Sequence, residues 1–324
     1  MQIHLRDSTP VPAVGLGFWK IPGEQTAEIT KQAIQAGYRH LDCACDYGNE
    51  AQAGEGIASA ISDGSIQRDD LWVTSKLWNT YHHPDHVAAA CERSLKDLQL
   101  DHLDLYHIHF PISQKFVDFD TRYPPEWFFD PDAENPVVQT NPVPIVDTWG
   151  AMTRLVERGL VRHIGVCNFG VSLIRDLMHS TDHAPEMLQV ELHPRLQQNK
   201  LLRFAREQSI AVTAFSPLGA PSYIPLGMAA ESDDILQDET IRDIANQHGK
   251  TPAQVVLRWG LQRGTAVIPK TQTPERLKEN LAATEFQLTD DQMEIIGRMD
   301  QHRRYNDPGD FAEAAFNTFY PIFE

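Results

Sequence analysis

Eight short apolar runs rich in β-branched residues recur along the chain. They are VGLGFW from Val14, HLDCA from His40, LWVTSK from Leu71, LDLYHIHF from Leu103, HIGVCNF from His163, EMLQVELHP from Glu186, AVTAFSPLG from Ala211 and TAVIPK from Thr265. Runs of this length suit short strands of a buried parallel sheet. Most are separated by stretches with helical spacing. TAEITKQAIQAGY presents Ile29, Ala33 and Ile34 and stops at Gly37, and PDHVAAACERSLKDLQL presents Val87, Ala90, Leu95 and Leu98. DETIRDIANQHG follows the same pattern. TPAQVVLRWGLQRG adds Thr251 as a cap, Pro252 at the first helical position and Gly264 past the end. Eight strand-then-helix units predict an α/β fold, a (β/α)8 TIM barrel in one domain over residues 1–324. IHLRDSTPVPAV at the start predicts a hairpin capping the barrel bottom.

Two segments break the rhythm. Residues 111–145 are Pro- and aromatic-rich and very long for a loop after the fourth strand, and the tail from Gln301 is also aromatic-rich. Both are expected to wall a substrate site.

Composition narrows the field. The chain has 324 residues, 41% hydrophobic and 9% aromatic, enough for a large core. A net charge of -17 argues against a nucleic-acid binder, which needs a basic face. No apolar run approaches a membrane span, and MQIHLRDSTPVPAVG has no apolar signal-peptide core. Four cysteines in this length fit a reducing cytoplasm rather than a disulfide framework.

Barrel active sites gather at the C-terminal ends of the strands. There the sequence delivers Asp42 and Tyr47, then Lys76, then His109. An ammonium near a tyrosine favours the phenolate, and a carboxylate keeps a buried ammonium charged. Lys76 is therefore expected to lower the Tyr47 pKa, with Asp42 as its counter-ion and His109 orienting a substrate oxygen. Such a tyrosine can protonate the alkoxide formed when a carbonyl accepts hydride. Cys43 and Cys45 read as packing, and a metal at His82, His83 and His86 is not expected. GEGIAS from Gly54 is a weak dinucleotide fingerprint because it lies in a helical stretch. His107 reads as a core histidine.

The motifs GLGFWK at 15, DCACDYGNE at 42, TSKLWN at 74, LDLYHIHFP at 103, GLVRHIGVCNF at 159, LQVELHP at 188, AFSPLG at 214 and VIPKTQTPERLKEN at 267 together resemble the aldo-keto reductase family. The resemblance implies NAD(P)H-dependent carbonyl reduction, with Tyr47 as proton donor beside Asp42, Lys76 and His109. It also implies a dinucleotide across the barrel mouth. Asn168 and Gln189 would hold its carboxamide, Phe215 would stack on the nicotinamide, and Ser216 and Leu218 would border the pyrophosphate. Lys270, Thr271, Gln272, Arg276 and Asn280 would take the adenosine end. Two cations there favour NADPH, with NADH as the alternative.

ISQKFVDFDTRYPPEWF and RRYNDPGD resemble xylose (aldose) reductases within that family. On that resemblance Asp46, His109 and Asn306 would bond sugar hydroxyls, and Trp19 and Trp127 would wall the pocket. The expected partner is a small aldose, and the expected assembly a monomer or homodimer. Competing readings are a reductase of other aldehydes or sugar phosphates, an aldolase using Lys76 as a Schiff base, and a non-catalytic subunit that senses nicotinamide.

Overall fold

The computed structural model describes residues 1–323. A hairpin of β1 (Gln2–His4) and β2 (Pro10–Pro12) pairs Ile3 with Val11. The eight-stranded parallel sheet follows in chain order: β3 (Leu16–Gly17), β4 (His40–Asp42), β5 (Trp72–Leu77), β6 (Leu103–Ile108), β7 (Val161–Cys167), β8 (Met187–Glu191), β9 (Ala211–Phe215) and β10 (Ala266–Val267). A parallel bridge from Val14 to Val267 closes the sheet on itself, with the Gly15 N–H donating to the Val267 carbonyl at 2.9 Å. The result is the (β/α)8 barrel expected from the eight runs.

A helix follows every barrel strand. They are α1 (Gly23–Ala36), α2 (Glu50–Ser62), α3 (Pro84–Leu98), α4 (Ile145–Glu157), α5 (Val171–Ser180), α6 (Asn199–Glu207), α7 (Glu239–His248) and α8 (Pro252–Gln262) after β9, and α9 (Pro274–Leu281) after β10. α10 (Asp290–Gly297) and α11 (Pro308–Phe316) complete the chain. The caps follow the sequence. Gly37 ends α1 with φ +111°, and Thr251 and Gln254 form a capping box at α8.

Side-chain alternation places Leu41, Val73, Tyr106 and Ile108 outward against the helices and Asp42, Lys76 and His107 inward. GEGIAS is helix, and its glycines serve packing. A Cβ on Gly54 would lie 2.3 Å from the Asp97 carbonyl of α3, and one on Gly56 2.5 Å from the Ala27 carbonyl of α1. Residues 111–145 form no strand beyond one bridge, Gln114 to Thr140. The tail holds the helix α11, which its aromatic density had masked.

Candidate active site

Four elements converge at the C-terminal mouth of the barrel. Asp42 ends β4, and a one-turn helix over Cys45–Tyr47 then presents Tyr47. Lys76 comes from β5, in register with His107 of β6. His109 follows β6, its N–H donating to the Leu77 carbonyl at 3.0 Å.

The Lys76 ammonium is completely buried, and each of its three donors is used. It donates to Asp42 Oδ1 at 2.5 Å, to the Cys43 carbonyl at 2.8 Å and to Tyr47 Oη at 3.1 Å. Burial works against its charge, but Asp42 and Tyr47 outweigh that and hold its pKa above the ordinary value. Gln189 Nε2 donates to the second Asp42 oxygen at 2.6 Å, which fixes the carboxylate.

Tyr47 departs from expectation in one respect. Its pKa is raised, because burial outweighs the lowering by Lys76 and Asp42 adds to the rise. The ring is therefore a neutral phenol, and its hydroxyl accepts from Lys76. Its own O–H hydrogen is left to point elsewhere. His109 is pushed well below its usual pKa, first by burial and then by Lys76, so it is a neutral imidazole. Its ring lies edge-on to Tyr47, centroids 5.8 Å apart, and edge-on to Trp78 at 5.3 Å.

His107 lies one layer deeper. It is buried, with its pKa depressed first by burial and then by Lys76, as befits a core residue. Gly165 makes room for it, since a Cβ there would approach His107 Nδ1 to 2.6 Å. Cys43 and Cys45 are buried, and burial raises both thiol pKa values, as packing residues should be.

Asn168 follows β7 in the left-handed region, φ +64°, which asparagine tolerates. It donates to the His109 carbonyl at 2.9 Å, while its Oδ1 is buried without a partner. Phe215 ends β9, half-buried, and Leu218 is likewise half-buried in the following loop. Ser216, at φ +44°, bonds Tyr223 Oη at 2.8 Å. Thr271 Oγ1 accepts from the Thr273 N–H at 3.1 Å, and Gln272 Nε2 donates to the Lys20 carbonyl at 3.1 Å. Asn280 is buried on α9, whereas Lys270 and Arg276 are exposed.

Of the substrate candidates, Trp19 sits against Tyr223 at 5.6 Å. Trp127 is enclosed by Trp78, Phe110, Phe311 and Phe316, so the long loop and α11 do meet. Asp46 adjoins Tyr47, and burial, aided by the Glu126 charge, raises its pKa to about 7. Asn306 donates to Tyr223 Oη at 3.5 Å, and its Oδ1 is buried without a partner.

Sequence reasoning did not single out Tyr223, Glu191 or Lys20. Tyr223 joins Trp19, Ser216 and Asn306, and no local pattern marks it. Lys20 donates to the Ser222 carbonyl at 2.5 Å, and burial, with Lys270 nearby, lowers its pKa to about 8.

Residues 13–301 match the family model for the aldo/keto reductase family. This chain belongs to that family. It is similar to a probable NAD(P)H-dependent D-xylose reductase of Arthroderma otae, 44% identical over 99% of this chain and 96% of that protein. An NAD(P)H-dependent D-xylose reductase of Pachysolen tannophilus is 47% identical over 94% and 95%. Among solved structures, the aldose reductase from Schistosoma japonicum superposes with a TM-score of 0.87 at 35% identity, covering 100% of this chain and 99% of that one. The family member is an NAD(P)H-dependent oxidoreductase. Its residues fit the dinucleotide on their own chemistry. The orphaned Asn168 Oδ1 suits an amide N–H, and the rim cations Lys270 and Arg276 suit phosphate.

Proposed function

We propose that this chain reduces the aldehyde of an aldose of the D-xylose type to the polyol, with NADPH preferred and NADH as the alternative. The observation that carries the reading is the saturated Lys76 ammonium beside Tyr47. With three acceptors already on its nitrogen, Lys76 gives Tyr47 Oη a donor and leaves the phenol O–H free for a substrate oxygen.

When the dinucleotide is bound, Asn168 and Gln189 would hold its carboxamide and Phe215 its nicotinamide ring face, with Ser216 and Leu218 bordering the pyrophosphate. Lys270, Thr271, Gln272, Arg276 and Asn280 would hold the adenosine end. When bound, the reduced nicotinamide supplies hydride. Neutral His109 donates a hydrogen bond to the aldehyde oxygen and sets its direction toward Tyr47. Tyr47 delivers its proton to the developing alkoxide. The ammonium 3.1 Å away stabilises the phenolate left behind, and Asp42 keeps that ammonium charged. Lys76 thus acts on the product of proton transfer more than on the resting phenol.

Asp46 and Asn306 bond the sugar hydroxyls while Trp19 and Trp127 exclude water. A site made to bond hydroxyls discriminates against substrates that lack them. The names of the relatives support xylose as the reference sugar. No described helix is long and apolar enough to cross a membrane. Residues 1–324 are read as one catalytic domain acting in the cytoplasm as a monomer or homodimer.

The test is initial rate with D-xylose against other aldoses, sugar phosphates and butanal, with NADPH and NADH in turn. Turnover of xylose with kcat/KM above that for butanal supports the reading. Turnover of aldehydes without hydroxyls alone overturns the substrate class, and NADPH binding without any turnover overturns the activity.

A further inference from the structure

The inward face of β8 carries two supporting side chains, two residues apart. Gln189 steadies Asp42, and Glu191, the last residue of the strand, is completely buried. The Glu191 carboxylate accepts from the Tyr305 N–H at 2.9 Å (Oε1) and 3.2 Å (Oε2), and from the Asn306 N–H at 2.8 Å. His193 Nε2 lies 2.9 Å from Oε1. Gln198 Nε2 donates to the Glu191 carbonyl at 2.6 Å and fixes the strand end.

These bonds tie the barrel rim to an arm 114 residues further along the chain. An aromatic stack reinforces the tie: His193 on Tyr305 at 5.3 Å, and Tyr305 on Tyr223 at 5.5 Å. The arm carries Asn306, whose Oδ1 is buried and unpartnered. Two consecutive backbone N–H groups held by one carboxylate fix the peptide plane from which that side chain springs.

We propose that Glu191 is a positioning residue for substrate selection, a latch that holds Asn306 at the angle from which it bonds an aldose hydroxyl. The proposal rests on the aldose reading above. Glu191 touches neither substrate nor cofactor. It acts through the backbone of residues 305 and 306.

Amide hydrogen exchange on the unaltered enzyme comes first, because it needs no variant and no substrate. Tyr305 and Asn306 should be protected to a degree comparable with β8. Rapid exchange there overturns the latch. The variant is Glu191→Gln, whose amide turns one of the two acceptors into a donor facing an N–H. It should speed exchange across residues 303–312 and raise KM for xylose roughly tenfold, the loss expected of one hydrogen bond from Asn306 to a sugar hydroxyl. KM for butanal, which has no hydroxyl to bond, should hold. In an Asn306→Ala background the same substitution should add nothing further to the xylose KM. Equal damage to both aldehydes, or additive effects in the double variant, overturns the selective role. If the unaltered enzyme reduces butanal but no aldose, the substrate reading fails and the selective role with it, while exchange still decides whether Glu191 holds the arm.

Discussion

At the residue scale, the arrangement turns on how one buried ammonium spends its hydrogen bonds. Lys76 is charged because Asp42 lies 2.5 Å away, and Asp42 tolerates burial because Lys76 and Gln189 satisfy it. Removing one partner leaves an uncompensated charge. Lys76→Met should cost about 3–5 kcal/mol of stability, and Asp42→Asn in that background should recover part of it. Chemical denaturation of the single and double variants reads this directly, and an additive double variant would contradict the pairing. The four catalytic candidates were legible because each ends, or closely follows, a strand whose run was clear. The direction of the Tyr47 pKa was not. Nearness of Lys76 argues for lowering, but desolvation of the half-buried ring outweighs it, and that desolvation depends on every element packed around it.

At the element scale, helices with strong caps were readable from sequence, as at Thr251 and Gly37. β10 keeps only two residues of the TAVIPK run as strand, and the bridge from Val14 to Val267 closes the barrel there. α11 carried a signal in Asp307, whose side chain accepts from the Gly309 N–H, and in Pro308. Glu191 showed no signal, because the Tyr305 and Asn306 N–H groups it holds lie far along the chain. Behind the barrel wall, Glu50 of α2 accepts from Ser75 Oγ of β5 at 2.5 Å and Ser94 Oγ of α3 at 2.8 Å. Burial raises its pKa from 4.5 to about 7, against the lowering by the two serines. The folded state therefore holds a proton that the unfolded chain has released. Between about pH 4.5 and 7 the unfolded state binds fewer protons, so stability falls as pH rises through this window and levels off above it. Glu50→Gln should remove that slope and leave the variant more stable than the parent at pH 8, on the order of 3 kcal/mol. Melting curves at pH 5, 6, 7 and 8 test it, and parallel curves would contradict it.

At the scale of the whole molecule, two features matter: how the barrel closes and where charge sits. At the seam the Gly17 N–H donates to the Pro269 carbonyl at 3.2 Å, and a Cβ on Gly17 would lie 2.7 Å from the Ile268 carbonyl. That atom is backbone and cannot swing aside. Gly17→Ala should destabilise by about 1–3 kcal/mol, and an unchanged denaturation midpoint would contradict the closure described. Against a net charge of -17, Lys270 and Arg276 are cations exposed on the rim after β10. Arg276→Met should weaken NADPH about tenfold while leaving NADH nearly unchanged, and should flatten the salt dependence of NADPH binding. Fluorescence titration at two ionic strengths decides this. Equal weakening of both dinucleotides would move the 2′-phosphate contact elsewhere.

The proposed activity rests on Tyr47 being the group that gives its proton to the substrate. The direct measurement is steady-state turnover of D-xylose with NADPH by the parent enzyme and by Tyr47→Phe, with cofactor affinity measured alongside. Loss of the phenol oxygen should lower kcat by roughly 10²–10⁴-fold while NADPH affinity stays within about twofold. Turnover that survives the substitution with cofactor affinity intact would place the proton donor on another residue.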